Sequence, residues 1–234
     1  MHQFPLLLAI DTCGPSGSVA LGRLAGRDLE ILGQVELAGR TYSATLVAAI
    51  ADLLKRTGTQ LARLDAIIAV NGPGSFTGVR VGLSAAKGLV EGTGISIVAV
   101  TRLEVLARKS SVPSSALDAH RGEVYLRLEQ MGVKPKELLA GPHELAVVDP
   151  PPLRVAVCDE AVASILSVAW PGTQLVKTTP PLASDALRLG EARLIAGATV
   201  DAAHLDGHYL RRSDAEIFGA DVVAQQAAVA NQRA

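Results

Sequence analysis

Apolar runs alternate with amphipathic stretches along the chain, and this pattern predicts an α/β protein with helices packed on sheets. The turn CGPSG between the first two apolar runs predicts a hairpin, because Gly, Pro and Ser are typical turn residues. Later runs are separated by a helical pattern, and strands joined through a helix run parallel in one sheet. In the first half, the predicted strands cover residues 6–11, 18–23, 29–37, 66–70 and 95–100.

Two helices are predicted between these strands. The first has Ser43 as its N-cap and ends at Gly58, because a hydroxyl accepts from free N–H groups at a helix start and glycine tolerates the left-handed turn after a helix end. The second begins at Phe76, just after the glycine-rich stretch NGPG and Ser75, and extends to Gly88 or Glu91. Apolar residues repeat at helical spacing in the first helix: Leu46, Val47, Ile50, Leu53 and Leu54.

The second half repeats this plan in a shorter form. Strands are predicted over 116–118 and 123–128 around the turn AHRG, and a strand over 153–157 precedes a helix over 160–168. The proline-rich stretches DPPPL and TTPPL are connectors, because proline fits neither a helix interior nor a central strand.

Composition limits the classes of function. The 22 basic and 23 acidic side chains leave a net charge of -1, so the chain as a whole carries no charge that favours nucleic acid. Cys13 and Cys158 are far apart and lack the spacing of a metal or redox motif, which indicates a reducing compartment. The apolar run near the start is too short for a membrane span or a secretion signal. We therefore expect a cytoplasmic protein.

Three segments carry a resemblance to a known family: LLLAIDTCGPSGSVALG, NGPGSFTGVR and DAHRGEVYL. Together, and in this order, they resemble the TsaB (YeaZ) family, the bacterial partner subunits of the threonylcarbamoyl transferase TsaD. The resemblance is strong over residues 5–128, and a weaker similarity lies in GHYLRR at 207–212. One departure is His120, where the family more often has arginine.

The resemblance implies an α/β fold of the actin and sugar-kinase type (ASKHA), with two related lobes of which the second is reduced. On this basis we expect an N-terminal lobe over 1–105, a reduced C-terminal lobe over 106–215 and a flexible tail over 216–234.

The resemblance also implies a non-catalytic scaffold or activator subunit that binds the TsaD-like transferase. That transferase installs the threonylcarbamoyl group on N6 of adenosine in tRNAs that read ANN codons. A TsaE-like ATPase completes the implied ternary complex, in which this chain contacts tRNA only indirectly and needs no membrane.

Transfer chemistry in TsaD requires a metal held by two histidines one helical turn apart, because side chains at i and i+4 share a helix face. The corresponding segment here, Val100 to Glu104, contains no histidine. His204 and His208 have the right spacing, but Gly207 weakens the helix that would present them and no further ligand cluster is evident. We therefore predict no catalytic residue and no metal site, and we interpret both histidines as surface residues.

Nucleotide binding is an alternative that the sequence leaves open, because five residues match the phosphate loops of the superfamily. One of them, Asp118, is a carboxylate able to hold Mg²⁺ through water. Against this, serine and glycine occur in any tight hairpin, and the stretch over 72–78 lacks the lysine of a P-loop. We predict that no cofactor is required, while weak or shared binding of ATP or ADP with Mg²⁺ is the alternative. The five residues are Asp11, Ser16, Gly17, Ser18 and Asp118.

The helix that begins at Phe76 has more apolar surface than its own sheet needs. Its polar residues Arg80, Ser84, Lys87 and Glu91 form one narrow stripe, whereas a helix on a sheet needs only about a third of its circumference apolar. The remaining apolar surface predicts a second partner for this helix.

A column of small residues, Gly78, Gly82 and Ala86, recurs at four-residue intervals and lets another element approach closely. Two alternatives stay open: the column receives a partner's helix, or it lets this helix sit close on its own sheet. The resemblance implies that this helix and the preceding one contact the TsaD-like transferase, and that the same surface can make a homodimer. We then expect Gly82→Leu or Leu83→Glu to abolish association and leave the lobe folded. The predicted interface comprises Leu46, Ile50, Leu53, Gly78, Val79, Gly82, Leu83 and Ala86.

Two enzyme classes are alternatives to a scaffold. An actin-fold ATP-dependent small-molecule kinase or ATPase needs a complete adenosine pocket in the second lobe, which the short, proline-broken segment over 130–182 disfavours. A metallopeptidase needs the histidine pair that residues 100–104 lack.

Overall fold

The computed structural model describes residues 5–26, 28–129 and 132–211, and it contains two five-stranded sheets. Within these ranges, none of the helices combines the length and the apolar character that crossing a bilayer requires. The predicted tail over 216–234 and the last residue of GHYLRR lie outside the described residues.

The first sheet combines an antiparallel meander with two parallel strands. Its strands are β1 (Leu6–Asp11), β2 (Gly17–Ala25), β3 (Asp28–Leu37), β4 (Ala66–Val70) and β5 (Ser96–Val100). The spatial order is β3-β2-β1-β4-β5, with β1, β2 and β3 antiparallel and with β4 and β5 parallel to β1. Nearly every residue of β1 and β4 is buried and apolar, which is the pattern of strands covered on both faces.

The second sheet has the same topology as the first. Its strands are β6 (Ser114–Asp118), β7 (Val124–Leu128), β8 (Lys136–Ala140), β9 (Arg154–Val157) and β10 (Gln174–Lys177). The order is β8-β7-β6-β9-β10, with the first three antiparallel and with β9 and β10 parallel to β6. Because order and direction match strand by strand, the chain contains one supersecondary plan twice.

In the part of the chain that the structure describes, six α-helices cover the sheets: α1 (Tyr42–Arg56), α2 (Phe76–Thr93), α3 (Arg102–Ser110), α4 (Pro142–Ala146), α5 (Glu160–Ala169) and α6 (Ala183–Ile195). A Cβ atom on Gly33 of β3 would lie 2.8 Å from Leu53 of α1. The adjacent Gln34 instead accepts a hydrogen bond at 3.2 Å from Ser184 N in α6. Since neighbouring strand residues point to opposite faces, α1 and α6 cover opposite faces of the first sheet, and α2 packs beside α1.

Helices α3 and α6 each pack on the sheet of the other half. α3 follows β5 but contacts β6, β7 and β9, and α6 follows β10 but contacts the strands of the first sheet. The two helices also meet, since Lys109 Nζ lies 2.9 Å from Asp185 Oδ2 and Arg193 pairs with Glu104. The expected lobe boundary at 105/106 therefore falls inside a helix that belongs to the second sheet.

Residues 200–211, which we call the strap, run from the first lobe to the second. Val200 N donates to Ile97 O at 2.9 Å, and His208 N donates to Asn71 O at 2.7 Å. At its end, Arg211 donates to the carbonyl oxygen of Ala119 at 2.8 Å in the second lobe. The strap thus crosses one flank of α2 and links both sheets, an arrangement that the sequence pattern did not predict.

The start of α1 differs from the prediction. The N-cap is Thr41, and Ser43 lies inside the first turn of the helix. The helix starts earlier because Tyr42 is buried, and its hydroxyl donates to Gly14 O at 2.8 Å. This tertiary contact fixes the helix start in place of a side-chain cap.

Candidate functional site

The glycine-rich turn after β4 packs against the loop between β1 and β2. Ser75 N donates to Cys13 O at 2.8 Å, and Ser75 Oγ caps α2 by accepting from Gly78 N at 3.3 Å. Gly74 has a φ of +159°, and a Cβ atom there would lie 2.1 Å from Cys13 O, so the position requires glycine. The turn therefore fixes the start of α2 against the end of β1.

The small-residue column of α2 faces this chain's own core. A Cβ atom on Gly78 would lie 2.1 Å from Thr12 O, and one on Gly82 would lie 2.3 Å from Thr12 Oγ1. The hydroxyl of Thr12 donates to Gly78 O at 2.6 Å. Of the two alternatives for the column, the structure thus selects close packing on the helix's own sheet.

The eight residues predicted as the partner interface need correction, because all of them are buried within the chain. Apolar spacing identified the inward face of each helix, and core packing produces the same spacing as a partner surface. Gly82→Leu or Leu83→Glu would therefore disturb the core itself, contrary to the expectation that the lobe stays folded. The buried residues are Leu46, Ile50, Leu53, Gly78, Val79, Gly82, Leu83 and Ala86.

A different set of residues on α1 and α2 forms an open apolar face. Val47 of α1 is 68% exposed and Phe76 of α2 is 38% exposed, and they border a groove of about 600 Å³ between the two helices. The guanidinium of Arg80 stacks 3.8 Å above the ring of Phe76. Leu46, one of the predicted interface residues, also lines this groove together with Tyr42, although both side chains are buried. We call the exposed and partly exposed lining the α1–α2 face; it comprises Ser43, Val47, Phe76, Thr77, Arg80, Val81, Ser84 and Ala85.

The strap supports one edge of the α1–α2 face. The ring centroids of Phe76 and Tyr209 are 5.2 Å apart with tilted planes. The Phe76 ring thus contacts both Tyr209 of the strap and the guanidinium of Arg80. Sequence reasoning missed these contacts because the two aromatic residues are far apart along the chain.

A cleft of about 830 Å³ lies between the lobes. The first lobe contributes the loop after β1, the glycine-rich turn and the start of α1, and the second lobe contributes Leu117, Asp118, His120 and Tyr125. Of the five predicted phosphate-binding residues, Asp118 alone lines this cleft among the described residues. The other four therefore do not converge on it.

Asp11 has both carboxylate oxygens engaged inside the chain. Oδ2 accepts from Arg102 Nε at 3.3 Å, and Oδ1 accepts from Cys13 N at 2.9 Å. Both side chains of the pair are buried. Asp11 is thus neutralised by Arg102, which lies in the segment over 100–104 that lacks the histidine pair.

The other predicted phosphate-binding residues of the first lobe have structural contacts or face solvent. Ser18 Oγ accepts from Ala183 N at 2.8 Å and so satisfies the start of α6. A Cβ atom on Gly17 would lie 2.8 Å from the Tyr42 ring, so this glycine makes room for an aromatic side chain. Ser16 is exposed on the loop.

Asp118 shapes the turn between β6 and β7. Its carboxylate accepts from His120 N at 2.7 Å and lies 2.9 Å from His120 Nδ1. His120 and Arg121 both have positive φ angles, of 62° and 59°, which are uncommon for residues with a Cβ atom. The carboxylate therefore stabilises a strained turn at the mouth of the cleft.

These contacts test whether the residues fit the Mg²⁺–nucleotide that the superfamily implies. Asp11 already has a buried positive partner, and Ser18 is used by α6. A divalent cation beside Asp11 would meet the guanidinium of Arg102, and like charges at this separation repel. The residues at the end of β1 consequently do not fit a magnesium–phosphate group.

The described residues contain no group of three His, Cys, Asp or Glu side chains placed to hold a metal ion. His204 lies 3.3 Å from Asp201, whereas His208 lies 2.9 Å from Glu137 in the second lobe. The two histidines thus pair with separate carboxylates and do not converge on one point. His208 is also only partly exposed, which differs from its interpretation as a surface residue.

Cys13 is buried at the inner end of the cleft. Burial raises the pKa of its thiol well above the ordinary value, and the negative charge of Asp11 adds to this effect. Its Sγ donates to Val70 O at 3.3 Å. The thiol is therefore protonated at neutral pH and is a poor nucleophile.

Comparison with known proteins gives matches over different parts of the chain. TsaB of Escherichia coli K12, a tRNA threonylcarbamoyladenosine biosynthesis protein, is 36% identical over 125 residues, which are 51% of this chain and 52% of that protein. An uncharacterised protein of Mycobacterium tuberculosis H37Rv is 32% identical over 166 residues, 69% of this chain and 76% of that protein. The family model described as TsaD: tRNA N6-adenosine threonylcarbamoyltransferase matches residues 34–138. The chain spans about half the length of the curated TsaB relatives it matches.

Two sheets of equal topology with a cleft between them define an α/β protein of the actin and sugar-kinase type, as the family resemblance implied. The solved structure of YeaZ from Pseudomonas aeruginosa is 26% identical, with a TM-score of 0.69 over 88% of this chain and 100% of that chain. The chain belongs to the TsaB (YeaZ) family, which confirms the prediction made from its three motifs.

Proposed function

We propose that this chain is an accessory subunit in the biosynthesis of threonylcarbamoyladenosine in tRNA, and that it acts by binding a TsaD-like transferase. Its curated relatives in Escherichia coli and Bacillus subtilis carry the name of that pathway. The tRNAs concerned are those that read ANN codons, and a TsaE-like ATPase joins the complex. The chain itself contacts tRNA only indirectly.

The observation that carries this proposal is the open apolar face on α1 and α2. Val47 and Phe76 are exposed there beside the partly buried side chains of Val81 and Ala85. An exposed apolar patch on two adjacent helices, bordered by polar residues such as Arg80 and Ser84, is typical of a surface that binds another protein.

The family model supports a transferase as the partner. Its match over residues 34–138 includes the whole of α1 and α2, so a TsaD-like chain has a related pair of helices. Two related helix pairs can pack around an approximate two-fold axis, as the identical surfaces of a symmetric dimer do. The same geometry accounts for a homodimer through this face when the transferase is absent.

In this proposal the chain supplies no catalytic group and requires no cofactor. The protonated thiol of Cys13 and the neutralised carboxylate of Asp11 support a scaffold role. The alternative, an actin-fold kinase or ATPase, has in its favour the interlobe cleft lined by Asp118. It would however need a phosphate loop whose carboxylate is free, and Asp11 is paired.

The test compares two valine substitutions of similar exposure. Val47→Glu places a charge in the α1–α2 face, whereas Val168→Glu changes a valine of α5 that is 84% exposed on the other lobe. We expect Val47→Glu to weaken binding of the TsaD-like protein from the same genome at least about tenfold, since a charge in a packed interface is left without a partner. Val168→Glu should bind like the wild type.

Isothermal titration gives both affinities, and a reconstituted modification assay with tRNA shows whether the complex depends on the contact. Wild-type affinity for Val47→Glu would place the interface elsewhere. Modification that proceeds equally well without this chain would remove the accessory role altogether.

A further inference from the structure

Arg102 and Asp11 form an ion pair that is buried between the two lobes. Arg102 is the first residue of α3, which packs on the second sheet, and Asp11 is the last residue of β1 in the first sheet. Their side chains are 8% and 3% exposed, and Nε of Arg102 lies 3.3 Å from Oδ2 of Asp11. The pair therefore joins the two lobes at the inner end of the cleft.

Arg102 is fixed through its backbone and through its side chain. Arg102 N donates to Gly72 O at 2.6 Å, and a Cβ atom on Gly14 would lie 2.4 Å from Arg102 Nη2. Glycine at position 14 thus leaves the space that the guanidinium fills. Burial by itself disfavours the charged form, but the charge and hydrogen bond of Asp11, together with the neighbouring Cys13 and Cys158, outweigh burial and raise the pKa of Arg102.

A buried carboxylate is stable only when a positive charge or several hydrogen bonds compensate it. In nucleotide-binding proteins of this superfamily, the hairpin that contains the equivalent of Asp11 faces phosphates and Mg²⁺. In this chain the compensating charge at Asp11 comes from Arg102, which stands in the segment over 100–104.

We propose that Arg102 is a built-in cation that replaces a bound divalent metal at Asp11. The ion pair then holds the two lobes together without a metal or a nucleotide. Removal of the guanidinium alone should convert Asp11 into a site for a divalent cation, because the carboxylate keeps its charge and loses its partner. This inference concerns the isolated chain and does not depend on the proposed partner.

The experiment measures the midpoint of thermal unfolding of the full chain in millimolar MgCl₂ or MnCl₂, with NaCl of equal ionic strength as reference. The wild type should show no shift beyond that of NaCl. Arg102→Met keeps most of the side-chain volume, and its midpoint should be lower and should rise by several degrees when the divalent cation is added. The double variant Asp11→Asn/Arg102→Met lacks both charges and should not respond to the cation.

Two results would overturn the proposal: a cation-dependent rise in the wild type as large as that in Arg102→Met, or no rise in Arg102→Met. If Arg102→Met does not fold, the folding of the double variant shows whether the charge at position 102 or its packing is required. We expect it to fold, since removing both partners of a buried pair avoids an unpaired charge. Failure of both variants to fold would mean that position 102 is required for packing and not for its charge, and would also overturn the proposal.

Discussion

Nε2 of His208 lies 2.9 Å from Oε2 of Glu137, and this contact ties the strap to the second sheet. Both atoms are buried, and neither has another polar partner among the described residues. The other oxygen of Glu137 accepts from Thr101 Oγ1 at 2.7 Å and from Arg127 Nη1 at 3.1 Å. One carboxylate thus connects the strap, the start of α3 and the second sheet.

The Glu137 network predicts a pH-dependent contribution to stability. Burial raises the pKa of Glu137, but the hydrogen bonds from His208, Thr101 and Arg127 outweigh burial and lower it from the ordinary value of 4.5. A carboxyl group whose folded pKa is depressed stabilises the protein fully above its unfolded pKa, and this stabilisation is lost as pH falls through the folded pKa.

We therefore expect Glu137→Gln to lower the free energy of unfolding by about 1–3 kcal/mol at neutral pH. The difference from the wild type should shrink as the pH falls below 4.5 and through the lowered folded pKa, because the carboxylate is then protonated first in the unfolded chain and finally in the folded one. Urea denaturation at a series of pH values measures both effects. Glu91→Gln, an exposed residue of α2, is the control and should change little. A difference that does not vary with pH would contradict the assignment.

Two glycines of α2 predict stability changes of opposite sign. A Cβ atom on Gly82 would lie 2.3 Å from Thr12 Oγ1, whereas nothing lies within 4 Å of one on Gly88. Gly82→Ala should destabilise the chain by about 1–3 kcal/mol through overpacking. Gly88→Ala should stabilise it by about 0.5–1 kcal/mol, since alanine favours the helix interior. Equal effects of the two substitutions in thermal unfolding would show that the column does not seat α2 on the end of β1.

Tyr209 predicts an effect of the strap on partner binding, under the proposed function. Its ring supports Phe76, on which the guanidinium of Arg80 stacks. Loss of an aromatic pair costs about 0.5–1.5 kcal/mol, so Tyr209→Ala should weaken the affinity for the TsaD-like protein about threefold to tenfold. Tyr209→Phe keeps the ring and should bind like the wild type. Unchanged titration curves for Tyr209→Ala would show that the strap does not contribute to binding through the α1–α2 face.

The central strands of the first sheet were predictable because their residues are apolar on both faces. The bounds Leu6–Asp11 and Ala66–Val70 follow directly from continuous apolar runs. The start of α2 at Phe76 was predictable from the preceding glycines and Ser75, but its end at Thr93 lies beyond the predicted one. The sequence pattern does not mark a sharp end of this helix, because the last turns of helices fray and their extent depends on tertiary packing.

The site was less predictable than the fold, since its contacts join distant residues. Asp11 and Arg102 are 91 positions apart, and only the folded chain brings them together. The buried and open faces of α1 also cannot be distinguished in the sequence. Leu46 and Val47 are adjacent apolar residues, yet Leu46 is buried and Val47 is exposed. Which of them faces a partner depends on where the sheet lies.

The crossed packing of α3 and α6 makes the two halves mutually dependent. Each sheet is completed by a helix encoded in the other half, which is the arrangement of a domain swap inside one chain. A fragment cut between α3 and β6 would expose the face of β1 that α6 covers, and would leave α3 without its sheet. Although the plan is duplicated, the unit that folds is therefore the whole pair of lobes.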